Sequence, residues 1–311
     1  MNNSKMLLIT VKVIFPDTYV ENTIVIIHIS TWSEEIFKLH IICIYAKTLP
    51  CIAGKDLFME IKIENSKLLI GNREFFNYKV KEKVGGGANG IVYLVRNLTL
   101  ERDEALKVRI KRKKVDTRDK LKQGLYEVQK LARVNGNNAV QIYTAQEFNG
   151  HMVATMEYFN GQTLKDFIIG KSAKQICKIL RYYLDAIEQT SNIDTFHGDA
   201  HENNILIREC IIDYENTIEL KLCDFGTSIF SGKVHSFERH WKVVRETILK
   251  CTNGMQSFDY SLQLLEGFEK SVLDIQRRIM DEIEAGKVEF YDARIFTAPY
   301  KDYLEYLESV N

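Results

Sequence analysis

The chain has 311 residues, 45% of them hydrophobic, which is enough to bury the core of one large or two modest domains. Lys+Arg and Asp+Glu balance at 42 each, so the overall charge gives no reason to expect nucleic acid or a membrane surface as a partner. The six cysteines (43, 51, 177, 210, 223 and 251) form no CxxC pair and no metal-ligand spacing with histidine, which argues against a zinc module and for reduced thiols in a cytoplasmic protein.

Residues 1 to about 70 are rich in β-branched side chains, with alternating stretches at 7–14, 23–27 and 59–63 that predict strands and a turn at Asn65-Ser66. Lys12 interrupts the apolar N-terminus, and Lys38, His40, Lys47 and Pro50 break the stretch 36–53, so neither a signal peptide nor a membrane span is expected. Residues 1–72 thus read as a β-rich extension without a chemical motif, either packed on the next domain or serving a partner. Strands dominate from Tyr78 to Glu157, interrupted by a basic run from Arg109 to Lys114 and a helix over 119–134. The basic run is expected to be a solvated loop or a surface for an acidic or phosphate-bearing partner. Leu121, Leu125, Val128 and Leu131 would form the apolar face of the helix. After Gly161 helices take over. Ile176, Ile179, Leu180, Tyr183, Leu184 and Ile187 share one face; Leu265, Phe268, Val272, Ile275, Ile279 and Ile283 share another, which Gly286 should end. A further helical pattern covers 237–249, and short strands are predicted at 205–207 and 218–222. A β-rich half followed by a helical half is the α+β class, with bounds at 73–158 and 159–311.

Five short motifs carry chemistry. In Val84-Gly-Gly-Gly-Ala-Asn-Gly-Ile-Val-Tyr93, Gly85, Gly87 and Gly90 are spaced so that backbone N–H groups can approach phosphates, and Val92 follows. The next stretch is a strand rather than a helix, so the loop joins a hairpin and does not open a dinucleotide-binding unit. Ala105-Leu-Lys-Val108 puts Lys107 in an apolar strand, where it can reach phosphate oxygens if Glu127 in the next helix holds it. Met156-Glu-Tyr-Phe-Asn-Gly161 joins the last strand to the helical half. In His197-Gly-Asp-Ala-His-Glu-Asn-Asn204 and Cys223-Asp-Phe-Gly-Thr227, Asp199 suits the orientation of an acceptor hydroxyl, while Asn204 and Asp224 offer hard oxygen ligands for Mg²⁺. The two strands between Asn204 and Asp224 could form a hairpin that returns the chain to the same place.

In this order the motifs resemble the protein-kinase-like superfamily over roughly residues 75–285. The resemblance implies a bilobal fold, ATP and Mg²⁺ as cofactors, and transfer of phosphate to a hydroxyl. It implies that Gly85, Gly87 and Gly90 cover the phosphates and that Lys107 pairs with Glu127. Asp199 would act as catalytic base, Asn204 and Asp224 would bind the metal, and Met156 would be the gatekeeper. Backbone atoms of Glu157 and Phe159 would meet adenine. Two departures stand out. The HGDxHxxN loop is similar to that of aminoglycoside and choline kinases; Gly198 replaces the arginine that clamps a phosphorylated activation loop, and His201 replaces a lysine that steadies the phosphoryl group. The Ala-Pro-Glu platform for peptides is also missing, since no proline lies between Pro50 and Pro299. The leading expectation is an atypical serine/threonine protein kinase. The alternatives are a small-molecule kinase, for which Asp259, Asp274, Asp281 and Glu282 could build an acidic pocket for a cationic acceptor, and a pseudokinase scaffold.

Overall fold

The computed structural model describes residues 6–8, 26–28, 40–42, 61–70, 73–87, 90–109, 117–134, 138–191, 196–212, 215–225, 232–287 and 291–311. It divides into two units, residues 1–57 and 58–311. In the first, β1 (Met6–Leu8), β2 (Ile26–His28) and β3 (His40–Ile42) form an antiparallel sheet with Leu7 opposite Ile27 and Ile27 opposite Ile41. The rest of the strands predicted at 7–14 and 23–27 lies outside the described residues.

The second unit opens with β4 (Ile61–Glu64), β5 (Lys67–Ile70) and β6 (Arg73–Glu74). Asn65 and Ser66 take φ of 50° and 65°, the double left-handed geometry that matches strand twist in a two-residue hairpin loop. Leu68 and Ile70 of β5 are fully buried in one core with Val80, Val95, Leu106 and Val108. That core lies under a five-stranded antiparallel sheet of β7 (Tyr78–Gly87), β8 (Gly90–Asn97), β9 (Arg102–Val108), β10 (Ile142–Phe148) and β11 (His151–Glu157), in the order β10-β11-β9-β8-β7.

Between β9 and β10 runs α1 (Thr117–Arg133). Its inward face differs from the predicted stripe. Leu125 is 45% exposed, whereas Gly124, Glu127 and Leu131 are buried and Val128 is half-buried. Steps of three and four from Gly124 select that face, and Leu125 is turned about 100° away from it. A glycine and a carboxylate therefore occupy positions that an apolar count passes over. A Cβ on Gly124 would stand 2.9 Å from Met152 Cβ and 3.0 Å from Arg109 Cδ, so the bare backbone is what lets α1 approach the sheet closely.

The helical half comprises β12 (Gln162–Thr163), α2 (Leu164–Phe167), α3 (Ala173–Thr190), the hairpin β13 (Ile205–Ile212) and β14 (Glu215–Leu222), α4 (Gly232–Thr252), α5 (Phe258–Glu284) and α6 (Arg294–Val310). Ile179, Leu180, Tyr183, Leu184 and Ile187 of α3 are buried as their spacing predicts, against Leu304 and Leu307 of α6. On α5 the apolar face is buried at its ends, Leu265 and Ile283, while Ile275 is 38% exposed. Gly286, at φ 67°, ends that helix: Lys287 N–H bonds Glu282 O and Gly286 N–H bonds Ile283 O, the two bonds of a Schellman motif. The strands β13 and β14 extend to eight residues each, well beyond the predicted pair, in register from Ile205↔Leu222 to Ile212↔Glu215. Leu222 N–H also bonds Asn138 O, which ties this hairpin to the segment entering the five-stranded sheet. No helix among the described residues is long and apolar enough to cross a membrane.

Candidate active site

The glycine-rich motif is a hairpin, with Gly85 opposite Val92 and Gly87 opposite Gly90, and its tip, Ala88 and Asn89, lies outside the described residues. The three glycines have different causes. Gly90 has φ 148°, and a Cβ there would stand 2.5 Å from Val108 O, so the fold itself demands glycine. At Gly87 a Cβ would meet nothing within 4 Å, and at Gly85 only Val92 Cβ at 3.8 Å, an ordinary contact. Packing does not require glycine at either place, and the surface there is bare. Gly87→Val is therefore expected not to lower the melting temperature but to weaken nucleotide binding, whereas Gly90→Val should destabilise by about 1–3 kcal/mol. Thermal melts with and without ATP measure both, and equal melting temperatures for the two variants would contradict the distinction.

Val92 lies between Gly85 and Lys107 in neighbouring strands, opposite both. The Lys107 ammonium donates to Glu127 Oε1 at 2.5 Å and to Asp224 Oδ1 at 3.0 Å, with only 10% of its side chain exposed. Burial alone would push the Lys107 ammonium down, but the carboxylates of Glu127 and Asp224 more than reverse this and hold it above its usual range. Burial likewise works to raise Asp224, and Lys107 outweighs it, so the carboxyl is held below the ordinary range. Arg109, expected in a solvated basic loop, instead donates through Nε to Glu127 Oε2 at 2.9 Å and through its terminal nitrogen to the same oxygen. The physical reason is that β9 carries it to the edge of α1, where Glu127 has two oxygens to satisfy. Residues 110–116 lie outside the described residues.

Asp224 is held at φ 62°, a strained backbone for a non-glycine residue. The hairpin β13–β14 brings it back to Asn204 as predicted: Cys223 N–H donates to Asn204 O at 3.0 Å. Next to it, burial pushes the Cys223 thiol up to about 12, so it stays protonated and unreactive. In the loop, Asn204 Nδ2 donates to Asp199 O at 2.9 Å. His201 faces the Asn203 N–H through Nδ1 and the Asn204 side-chain nitrogen through Nε2, both at 3.2 Å. Its Nε2 stands 3.8 Å from Asp199 Oδ2.

Two histidines support this loop from beneath. His197 Nε2 is 3.0 Å from Cys223 O, its Nδ1 accepts from Asp199 N–H at 3.3 Å, and its ring lies 4.2 Å from that of Phe225. His240, in α4, accepts from Gly198 N–H at 3.3 Å and meets Ser191 Oγ at 3.0 Å. Burial lowers His197 to about 4 and His240 to about 3, so both rings are neutral. Beside His240, Arg239 donates through Nε to Gly198 O at 2.9 Å and through a terminal nitrogen to Asp199 Oδ1 at 3.2 Å. An arginine thus reaches the loop although Gly198 holds the place where the resemblance would put one.

At the connector, Glu157 ends β11 with its N–H committed to Gln141 O at 2.7 Å and its carboxylate 2.7 Å from buried Lys221. Phe159 is buried, with the Arg208 guanidinium 4.5 Å from its ring centre. A Cβ on Gly161 would stand 2.6 Å from Ile207 O, so glycine is required where the connector crosses β13. Met156 lines a small cavity behind Lys107 with Val128, Leu131 and Met152. The acidic residues offered for a cationic acceptor, Asp259, Asp274, Asp281 and Glu282, are instead exposed on α5, where solvent satisfies their charges.

Comparison with known proteins agrees with this arrangement. A family model for the protein kinase domain matches residues 78–246, from the first strand of the glycine hairpin into α4. The chain belongs to the protein kinase domain family. It is 27% identical over 162 residues to the serine/threonine-protein kinase PrkC of Bacillus subtilis, a match that covers 51% of this chain and 24% of PrkC. It is 26% identical over 230 residues to calcium-dependent protein kinase 5 of Oryza sativa subsp. japonica, covering 69% of this chain and 40% of that protein. The kinase domain thus spans less than half the length of either relative. A crystal structure of the Mycobacterium tuberculosis PknI kinase domain, a double mutant, superposes with a TM-score of 0.51 at 16% identity, over 73% of this chain and 96% of that one. That likeness establishes the bilobal α+β kinase fold. Membership of the family implies use of ATP and a divalent metal in general.

Gly124, Arg109, Lys221, His240 and Arg239 were missed from sequence. Only Gly124 carried a signal: a glycine inside a helix costs about 1 kcal/mol relative to alanine, which invites a packing explanation.

Proposed function

We propose that this kinase domain transfers phosphate from ATP to a serine or threonine hydroxyl. The observation that supports this most is Lys107, bonded at once to Glu127 of α1 and to Asp224 after β14, so that a single buried cation joins the two halves of the domain. Among the described residues no group of three or more His, Cys, Asp or Glu gathers to hold a metal. Asn204 and Asp224 nevertheless fit Mg²⁺, which takes oxygen ligands and relies on few from protein when phosphates supply the rest. The bare surface at Gly85 and Gly87 fits a triphosphate. When bound, MgATP would supply the γ-phosphoryl group and offset its charge.

The chain's own residues supply the rest. Lys107 would meet phosphate oxygens as a cation already fixed in place, at no reorganisation cost. Asp199 would orient the acceptor hydroxyl and accept its proton. His201 would hold the loop through Nδ1, which accepts from Asn203 N–H, and leave the phosphoryl group to Lys107 and the metal. Glu157 and Phe159 would offer backbone atoms to adenine, since their side chains are occupied elsewhere. The test is incubation with labelled ATP, Mg²⁺ and a serine- and threonine-containing peptide mixture, followed by phosphoamino-acid analysis. Label on serine or threonine, absent from a Lys107→Met protein, is the expected result. Equal label in both proteins, or turnover of small molecules with no label in peptide, would overturn the reading.

A further inference from the structure

The acceptor side of Asp199 carries a feature that neither the motifs nor the phosphate-handling residues use. Arg239 leaves the first turns of α4 and ends on the catalytic loop, with Nε on Gly198 O at 2.9 Å and one terminal nitrogen on Asp199 Oδ1 at 3.2 Å. Those bonds use two of the five N–H groups of a guanidinium, so three remain. The side chain is 44% exposed, so the guanidinium is partly open to solvent beside the carboxylate it bonds. Asp199 Oδ2 is the oxygen left for a hydroxyl, its neighbour being His201 Nε2 at 3.8 Å.

A hydroxyl seated on Oδ2 brings its own neighbouring groups up to a cation that the backbone of the loop holds in place. Arginine donors form a planar fork that matches a carboxylate in two bonds, and they cannot be discharged by deprotonation. An amine or a basic side chain in the same place would meet like charge. The residues that might have built an acidic pocket stand exposed on α5. Arg239 belongs to α4, which begins at Gly232, and it is α4 that carries the guanidinium to the loop.

We propose that Arg239 selects the acceptor, and that this acceptor is an acidic peptide whose serine or threonine is flanked by aspartate or glutamate. The proposal rests on Asp199 as the residue that orients the hydroxyl. It is tested by measuring binding of fluorescent serine peptides with Glu or Lys at the flanking positions, without nucleotide, to wild type, Arg239→Gln and Arg239→Glu. Wild type should bind the acidic peptide about twofold to tenfold more tightly than the basic one, as a partly exposed ion pair would give. Arg239→Gln should remove most of that gap and Arg239→Glu should reverse it, while Arg239→Lys, which keeps the charge, should retain part of it. Circular dichroism checks that each variant is folded. Equal binding of acidic and basic peptides by wild type, or an acidic preference that survives in folded Arg239→Glu, would overturn the proposal, as would displacement only by small anions. Selective binding of acidic peptides without any transfer of label would leave Arg239 standing and sink the kinase reading; transfer of label to basic peptides would do the reverse.

Discussion

Replacing Asp199 by Asn is expected to lower the phosphotransfer rate by about 10²–10⁴-fold, the range a positioned general base contributes, while ATP and Mg²⁺ still raise the melting temperature. The reason lies in which atoms of Asp199 hold the loop together. Its N–H bonds His197 Nδ1, and its carbonyl oxygen receives both His201 N–H and Asn204 Nδ2. All three bonds use backbone atoms of Asp199 and survive the substitution. The side chain's own partner is Arg239, and an asparagine carbonyl oxygen can still accept from it. Only the ability to take a proton is lost. Lys107, Glu127 and Asp224 remain as they are, which is why nucleotide binding should persist. A variant that keeps a tenth or more of the wild-type rate would remove Asp199 from the role of base. A variant that loses the ATP-dependent rise in melting temperature would show that the loop, and not the proton, had been damaged.

The parts of this site that could be read from sequence are those set by local spacing. The glycine hairpin is one, because a strand following the motif leaves a hairpin as the way to satisfy the backbone. Asn204 and Asp224 are another, because the two strands between them bury Ile205, Ile207, Leu220 and Leu222 on one face and a one-residue slip would turn them out of it. Lys107 and Glu127 meet because α1 packs on β10 and β11, and β11 is the strand beside β9. What could not be read are contacts made by charged residues on helices across long separations. Arg239 lies in a helix whose pattern shows only which face is apolar, and its 40-residue reach to Asp199 depends on how α4 is docked. Leu125 failed for a related reason. An apolar count favoured it, but the sheet receives the face defined by Gly124, because removing a side chain there brings the helix close enough for Glu127 to reach Lys107.

These long-range contacts change how the altered catalytic loop is understood. A loop with Gly198 and His201 lacks two cations that the resemblance would place there. One positive charge returns from α4 as Arg239, bonded to the Gly198 carbonyl and the Asp199 carboxylate. Gly198, at φ 74°, presents its N–H to His240 and its carbonyl to Arg239, so the glycine serves as the point where α4 grips the loop. The loop is thus fixed by partners beneath and beside it, with little help from its own side chains.

Stability is expected to fall steeply between pH 6.5 and 5, and the two histidines beneath the loop are the cause. Burial holds His197 at about 4 and His240 at about 3, both below the unfolded value of about 6.5. Above pH 6.5 both rings are neutral whether the chain is folded or not, and their contribution is fully present. As pH falls below that value the unfolded chain takes up protons that the folded chain refuses, so the stability of the folded state declines until pH approaches the folded values. Each ring then contributes a slope of up to about 1.4 kcal/mol per pH unit, or roughly 2.7 for the pair. His197 carries opposing influences, since Asp224 and Asp199 favour its charged form while Lys130 disfavours it, yet burial dominates. The carboxylates lowered in the folded state, Asp224 and Glu202, act in the same direction but only near the unfolded carboxyl range of about 4, so the window from pH 6.5 to 5 isolates the histidines. Urea unfolding at pH 7.5, 6.5, 5.75 and 5 measures the slope. His240→Gln should be less stable at pH 7.5, because Gly198 N–H and Ser191 lose a well-placed partner, but it should show about half the wild-type slope in that window. A wild-type protein equally stable at pH 7.5 and 5, or a variant with an undiminished slope, would show that these rings titrate freely and that the loop is not sealed from water as the structure describes.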